Sequence, residues 1–230
     1  MAKNTKNKQE ENLHDVENAL TKTEQFIEDH QKLLSIIIGA IVIIVIGYLG
    51  YGKFYVQPKE KEAKEQMFMA ERYFETDSFN LAINGDGNNL GFLDIIDSYG
   101  ITKSANLAKY YTGISYLKLG EYEKAIQYLN KFESEDLLVA PVAEGAKGDA
   151  YFELGDNDKA LSQYKKAYQM SDNELTTPVY MLKAAGVLEA TGKFGGALDI
   201  YNELKEKYPN TTEGRSIDKY IARAKIELGK

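Results

Sequence analysis

Residues 104–132 run SANLAKYYTGISYLKLGEYEKAIQYLNKF. The string reads as two antiparallel helices joined by a turn at Leu119, Gly120 and Glu121. Small residues stand where the two backbones would cross, Gly113 on the first helix and Ala125 on the second. Larger ones flank them: Tyr116, Ile126 and Leu129. The arrangement returns twice. Gly148, Tyr151, Gly155, Ala160, Tyr164 and Ala167 hold the corresponding places in the next unit, and Ala185, Leu188, Gly192, Ala197, Tyr201 and Pro209 in the one after. Ala125, Ala160 and Ala197 lie 35 and 37 residues apart. Self-similarity at such a period marks a solenoid of stacked helix pairs.

An earlier unit fits the same pattern at Ala70, Tyr73 and Ala82. Ala82 precedes Ala125 by 43 residues, so this unit carries an insertion, visible as NGDGNNLG at residues 84–91. Its glycines invite comparison with a phosphate-cradling loop, but no Gly-Lys-Ser/Thr follows. Its Asn84, Asp86 and Asn88 invite comparison with a calcium loop, but Asn84, Asn89 and Ile95 stand where that loop needs an acid, a glycine and a glutamate. The segment therefore reads as a Gly/Asn turn that reverses the chain before a second helix at residues 92–99. Other punctuation is also helical. Gly120, Gly155 and Gly192 close first helices, Ser104 is placed to cap the helix that follows it, and Pro141 and Pro178 sit near helix starts. After Tyr208-Pro209, a last helix from Thr211 or Thr212 presents Ile217, Tyr220, Ile221, Ala224 and Leu228 on one face, as a helix shielding the end of a solenoid would.

Ahead of the repeats, residues 33–52 read LLSIIIGAIVIIVIGYLGYG, with no charge in the run. About 20 such residues span the roughly 30 Å core of a bilayer. The segment begins too late, and ends without the small-residue pattern, for a cleaved signal peptide. Tyr48, Tyr51 and Tyr55 suit the interface, and Lys53 marks the exit. Ser35, Gly39 and Gly47 share a face that fits helix packing in a membrane, or simply the abundance of glycine there. Lysines on both sides leave the orientation open. Upstream, residues 1–9 are polar and basic and read as disordered, while Leu13, Val16, Leu20, Ile27 and Leu34 make a helical stripe. That stripe fits a lead-in helix, a short coiled coil or a membrane-surface helix. The domains expected are a tail and amphipathic helix at 1–32, a transmembrane helix at 33–52, and a helical repeat domain at 53–230 entered through a charged stalk.

Composition narrows the function. The net charge of −7 disfavours nucleic acid, which needs a basic face. There is no cysteine, and the two histidines, His14 and His30, precede the repeats. The repeat region thus lacks the commonest general bases and nucleophiles, and acids such as Glu121, Glu123, Glu133, Glu135 and Asp136 read as helix-surface charge. No enzyme activity, cofactor or metal is expected.

The period and the small/large pattern resemble the tetratricopeptide repeat, over residues 60–230, although the chain has no tryptophan and Ala185 and Leu188 replace the usual Gly and Tyr. The fold expected is all-α: a solenoid of antiparallel helix pairs preceded by one transmembrane helix. The layout of short tail, single anchor and repeat domain resembles the family that includes the ancillary subunit of the bacterial Sec translocon, and related repeats occur in a periplasmic cell-division coordinator. The resemblance implies an inner-membrane protein with periplasmic repeats. Its partners would be translocon subunits, periplasmic chaperones or exported chains. The alternative is a self-assembling coordinator of envelope or division machinery, a homo-oligomer.

First helices of stacked pairs line a concave groove. Aligning the units places Leu107, Tyr110, Ile114, Leu117 and Lys118 there, then Val142, Gly145, Asp149, Phe152 and Glu153, then Val179, Leu182 and Glu189. Some of these fit the core between repeats equally well. The groove expected is apolar and aromatic, with Tyr110 and Phe152 deepest, suited to peptide segments. Among them only Lys118 has the character of a carboxylate clamp.

The apolar run predicts that the full chain stays in membranes through an alkaline carbonate wash. Release into the supernatant would remove the spanning assignment.

Overall fold

The structure, a computed structural model, describes residues 29–229. The basic tail and the stripe residues Leu13, Val16, Leu20 and Ile27 lie outside the described residues. The chain divides at Gln57/Pro58 into two compact units.

The first unit carries α1 (Gln31–Tyr51) and a π-helical turn at Gly52–Val56. No residue of α1 is buried. At 1.5 Å per residue the helix is about 32 Å long, and it is long and apolar enough to cross a membrane. The rings of Tyr51 and Tyr55 stack at 5.2 Å.

The second unit is built from helix pairs. α2 (Gln57–Glu75) pairs with the two short helices α3 (Phe79–Asn84) and α4 (Phe92–Ser98). α5 (Lys103–Lys118) pairs with α6 (Tyr122–Leu129), α7 (Val139–Glu153) with α8 (Asn157–Met170), and α9 (Thr177–Ala190) with α10 (Phe194–Lys207). α11 (Thr212–Ser216) and α12 (Asp218–Glu227) close the end. No strand occurs among the described residues.

Each turn between paired helices is the same device. Gly120, Gly155 and Gly192 have φ of 76°, 77° and 73°. At Gly120 the glycine amide bonds back to Leu117 O at 3.2 Å and the next amide, Glu121 N, to Tyr116 O at 2.9 Å. This is a Schellman closure, which satisfies the last carbonyls of the helix. The first pair uses it without glycine. Asp77, at φ 56°, is the one non-glycine residue with positive φ among the described residues. Ser78 N bonds to Tyr73 O at 2.8 Å across it.

The helices of a pair meet at the small residues. A Cβ on Gly113 would lie 2.5 Å from Leu129 Cγ, and one on Gly148 would lie 2.6 Å from the Tyr164 ring. Ala185 and Tyr201, at the equivalent places, are fully buried, as are Ala82, Ala125, Ala160 and Ala197.

The insertion splits the second helix of the first pair into α3 and α4. Its two limbs touch at Gly85 and Gly91, where a Cβ on either would meet backbone of the other limb at 2.3 Å. Asp86 accepts from the amides of Asn88 and Asn89 at 2.9 and 2.7 Å, from the Asn89 side chain at 3.0 Å, and from the Tyr73 hydroxyl at 2.6 Å. The Tyr73 hydroxyl, then Asn89, hold this acid well below the usual carboxylate range. The loop's acid is thus spent on closing the loop. Phe92 and Ile95 then return the chain to the core beside Ala105 and Ala108.

One cap differs from expectation. Thr102, rather than Ser104, caps α5, accepting from Ala105 N at 3.0 Å. Ser104 donates its hydroxyl to Glu60 at 2.9 Å, and the same carboxylate accepts from the amides of Lys103 and Ser104 at 2.7 and 3.2 Å. An acid from the preceding pair thus satisfies first-turn amides that a local side chain cannot all reach. At the far end Thr211 caps α11, and the last helix breaks at Ile217, which is buried with Ile221 and Ala224 against Tyr201 and Leu204.

Two substitutions separate backbone from packing. Gly155→Ala adds a methyl that meets nothing within 4 Å, so its cost is the left-handed backbone alone, about 1–2 kcal/mol. Ala160→Leu forces volume into a closed helix crossing and costs about 1–3 kcal/mol. Both are read by denaturant unfolding followed by circular dichroism. An unchanged midpoint for Ala160→Leu would mean that the crossing is misassigned.

Candidate protein-binding groove

The first helices α5, α7 and α9 stand in sequence along the second unit, and a cleft of about 420 Å³ opens among them. It is lined by Leu117, Lys118, Tyr122, Asp149, Phe152, Glu153, Tyr164 and Lys183. A neighbouring cleft of about 350 Å³ shares Asp149, Phe152, Tyr164 and Lys183 and adds Gly186 and Val187. Phe152 lines both and is 42% exposed, so it forms a rib between them.

Five of the residues expected on the groove meet at this cleft: Leu117, Lys118, Asp149, Phe152 and Glu153. The others are distributed differently. Leu107 is half-buried against the core of the first pair and borders a separate cleft with Glu60 and Met67. Tyr110 and Ile114 are half-buried against Leu129, Ala143 and Ala146, with the Tyr110 ring 5.3 Å from Phe132. Tyr110 therefore belongs in good part to the packing between repeats. Val142 is half-buried. Val179 and Leu182 pack on the core of the last two pairs. Gly145, expected on the groove surface, is buried: a Cβ there would lie 1.9 Å from the Tyr180 ring. Glu189 grips Arg223 of α12 with both carboxylate oxygens.

The charges of the cleft are arranged in two tiers. At its floor, Asp149 accepts from Lys183 Nζ at 2.6 and 2.7 Å and from the Tyr164 hydroxyl at 2.6 Å. Lys183 also lies 5.7 and 5.9 Å from the ring centres of Tyr164 and Tyr180. Acid and base at the floor thus neutralise one another and tie α7, α8 and α9 together. At the mouth, Lys118 and Glu153 are exposed. The cleft therefore presents an aromatic rib, the side of Leu117, and one charge of each sign. Among the described residues no group of His, Cys, Asp or Glu could hold a metal ion.

Lys183, Tyr164, Gly186, Val187 and Tyr122 were not expected on the groove. A signal for Lys183 was present: it is the one cation of α9, TPVYMLKAAGVLEA, which is otherwise apolar save for Glu189 and the threonine that opens it. A lone charge in such a helix needs a partner, and both charges of α9 have one.

Residues 107–135 and residues 146–210 match family profiles of the tetratricopeptide repeat. These segments are tetratricopeptide repeats. Two solved structures of nearly identical TPR-like repeats from a putative kinesin light chain of Podosopora anserina, one of them carrying a single substitution, superpose with a TM-score of 0.57. Each is 13% identical and the match covers 74% of this chain and 88% of that one. The likeness is one of fold. No curated protein matches the sequence. A tetratricopeptide domain is a scaffold that binds other proteins.

The tyrosines of this domain make its stability sensitive to alkali. Burial, then the bond to Asp149, pushes the Tyr164 phenol far above the ordinary value of 10.0, and burial, then the Asp149 charge, does the same at Tyr180. Tyr208 is pushed up to about 12 by burial and by its bond to Asp172. Above the ordinary value the unfolded chain loses these protons while the folded one keeps them. The folded state is then disfavoured increasingly as pH rises. Stability should hold to roughly pH 9.5 and fall steeply beyond about 10. Circular dichroism and phenolate absorbance should change together. Tyrosines that titrate near their ordinary value in a still-folded protein would contradict this burial.

Proposed function

We propose that this protein is a single-pass, membrane-anchored tetratricopeptide scaffold that holds protein partners at the bacterial cell envelope. Its repeats lie on the periplasmic side of the inner membrane, where it serves as an ancillary, translocon-type subunit in secretion or folding. One observation carries the reading. A single chain joins an apolar helix with no buried residue to a tetratricopeptide domain whose central groove aromatic, Phe152, is exposed. A helix as apolar as α1 would leave large apolar area in water, at about 25 cal/mol per Å², and a bilayer removes that cost. The periplasmic placement rests on the resemblance of the layout to translocon-associated repeat proteins.

Two measurements test this. Gentle solubilisation and co-purification with mass spectrometry should recover translocon subunits or envelope chaperones. Recovery of self-copies alone would favour the coordinator reading. For the side, Lys166 is a poor labelling position, because its amine holds the buried Glu144 at 2.9 Å. Lys165 is exposed, so Lys165→Cys in this cysteine-free chain should react with a membrane-impermeant thiol reagent in cells with a permeabilised outer membrane. Labelling only after lysis would place the repeats in the cytoplasm.

For the groove, Lys118→Ala with Phe152→Ala should lower partner recovery about tenfold or more, as loss of a central aromatic anchor does, at an unchanged melting temperature. Undiminished recovery would move the partner off this cleft. Tyr110 is less suitable, since its removal also opens the contact with Phe132.

A further inference from the structure

A second apolar surface lies away from the groove, on the loops that lead from one pair into the next. Leu137 and Leu175 are 68% and 70% exposed, the most exposed leucines of the repeat unit, and Leu138 and Met170 are exposed beside them. These loops are not free to fold their leucines inward. The Leu137 carbonyl accepts from Ser171 Oγ at 2.9 Å and from Asn173 Nδ2 at 3.4 Å, which joins the two loops. Asn173 Oδ1 accepts from the amides of Leu175 and Thr176, both at 2.8 Å. Asp136 Oδ1 holds the amides of Leu138 and Val139, both at 2.8 Å. The backbone that carries each leucine is thus fixed, and the apolar side chains are displayed permanently.

The surroundings are mainly acidic. Glu133, Glu135 and Glu174 lie in the same loops, are exposed, and enter no ion pair among the described residues. The one lysine of these loops, Lys131, lies 5.0 Å from the Tyr128 ring centre. A socket of about 290 Å³ adjoins the patch between Phe132 and Met170, with Glu133, Glu135, Glu144 and Lys166 in its wall; the Lys166 amine is held by Glu144 at 2.9 Å, which leaves Glu133 and Glu135 as its unpaired charges among the described residues.

We propose that this patch docks a cationic amphipathic segment of another protein, with its apolar residues on Leu137, Leu175 and the socket, and its lysines or arginines against the three glutamates. Two other occupants fit the charges less well. In a symmetric dimer the same patch meets itself, which would set these acids against their own copies. An anionic lipid surface would repel them.

The probe is a fluorescent synthetic peptide of roughly 14 residues, about four helical turns, with leucines along one face and lysines along the other. Its counterpart carries glutamates for the lysines. Binding is read by anisotropy on the full chain in nanodiscs of zwitterionic lipid, with empty nanodiscs subtracted. The lysine peptide should bind and the glutamate peptide should not. Leu137→Ser with Leu175→Ser should weaken binding at least tenfold at an unchanged melting temperature. Glu133→Gln, Glu135→Gln and Glu174→Gln together should weaken it several-fold and flatten its salt dependence. Phe152→Ala should leave it unchanged, which separates this surface from the groove. Equal binding of both peptides, or binding indifferent to the leucine pair, would overturn the proposal. So would a leucine-dependent dimer in sedimentation, which would assign the patch to a second copy. An environment-sensitive dye on Leu175→Cys that reports lipid in the absence of peptide would overturn it in favour of the membrane.

Discussion

Two helices of a pair can approach only as closely as the side chains between them allow, and in this protein the limit is a hydrogen atom or a methyl group. Leu129 occupies the space a side chain on Gly113 would need, and the Tyr164 ring occupies that of Gly148. Tyr201 lies fully buried with Ala185 at the matching crossing of the last pair. Each large residue is the complement of the small one opposite. The close approach lets a turn of a few residues close the hairpin, and similar hairpins then stack one on the next. The groove is a consequence of that stacking, since it is the face on which the first helices lie side by side.

Stacking at a fixed period also sets up polar ties one repeat apart. Lys183 reaches Asp149, Arg223 reaches Glu189, and Ser171 reaches the Leu137 carbonyl, each across 34 residues. Tyr208 reaches Asp172 across 36. The last helix is held in this way as if it began a further repeat. These ties consume charges that lie on the first helices and would otherwise face a partner. What remains on the groove is the aromatic rib of Phe152 with Lys118 and Glu153 at its mouth, while Asp149, Lys183 and Glu189 hold the scaffold together. A rigid scaffold with a small exposed anchor keeps the ordering cost of binding low.

The loops between pairs follow a different rule. They bury little, yet they are tightly hydrogen-bonded through Asn173 and Asp136. Fixed loops carrying exposed leucines amid acids present a surface unlike the groove, so the domain carries two surfaces of distinct chemistry.

The sequence by itself determined the helix pairs, their turns and their crossings, because these rest on local chemistry repeated at a period: glycine for a left-handed turn, alanine or glycine where backbones meet. It also determined the long apolar helix. The turn at Asp77 was harder to read, because there a non-glycine residue adopts the same backbone. Of the groove, Leu117, Lys118, Asp149, Phe152 and Glu153 were legible from alignment of the units. What only the tertiary structure decided was which of those side chains are already engaged. Glu60 caps a helix 43 residues away, Gly145 lies under Tyr180, and Glu189 is held by Arg223. No local pattern encodes these contacts, because each depends on the rotation between successive pairs, which is set by the summed shape of every side chain packed between them.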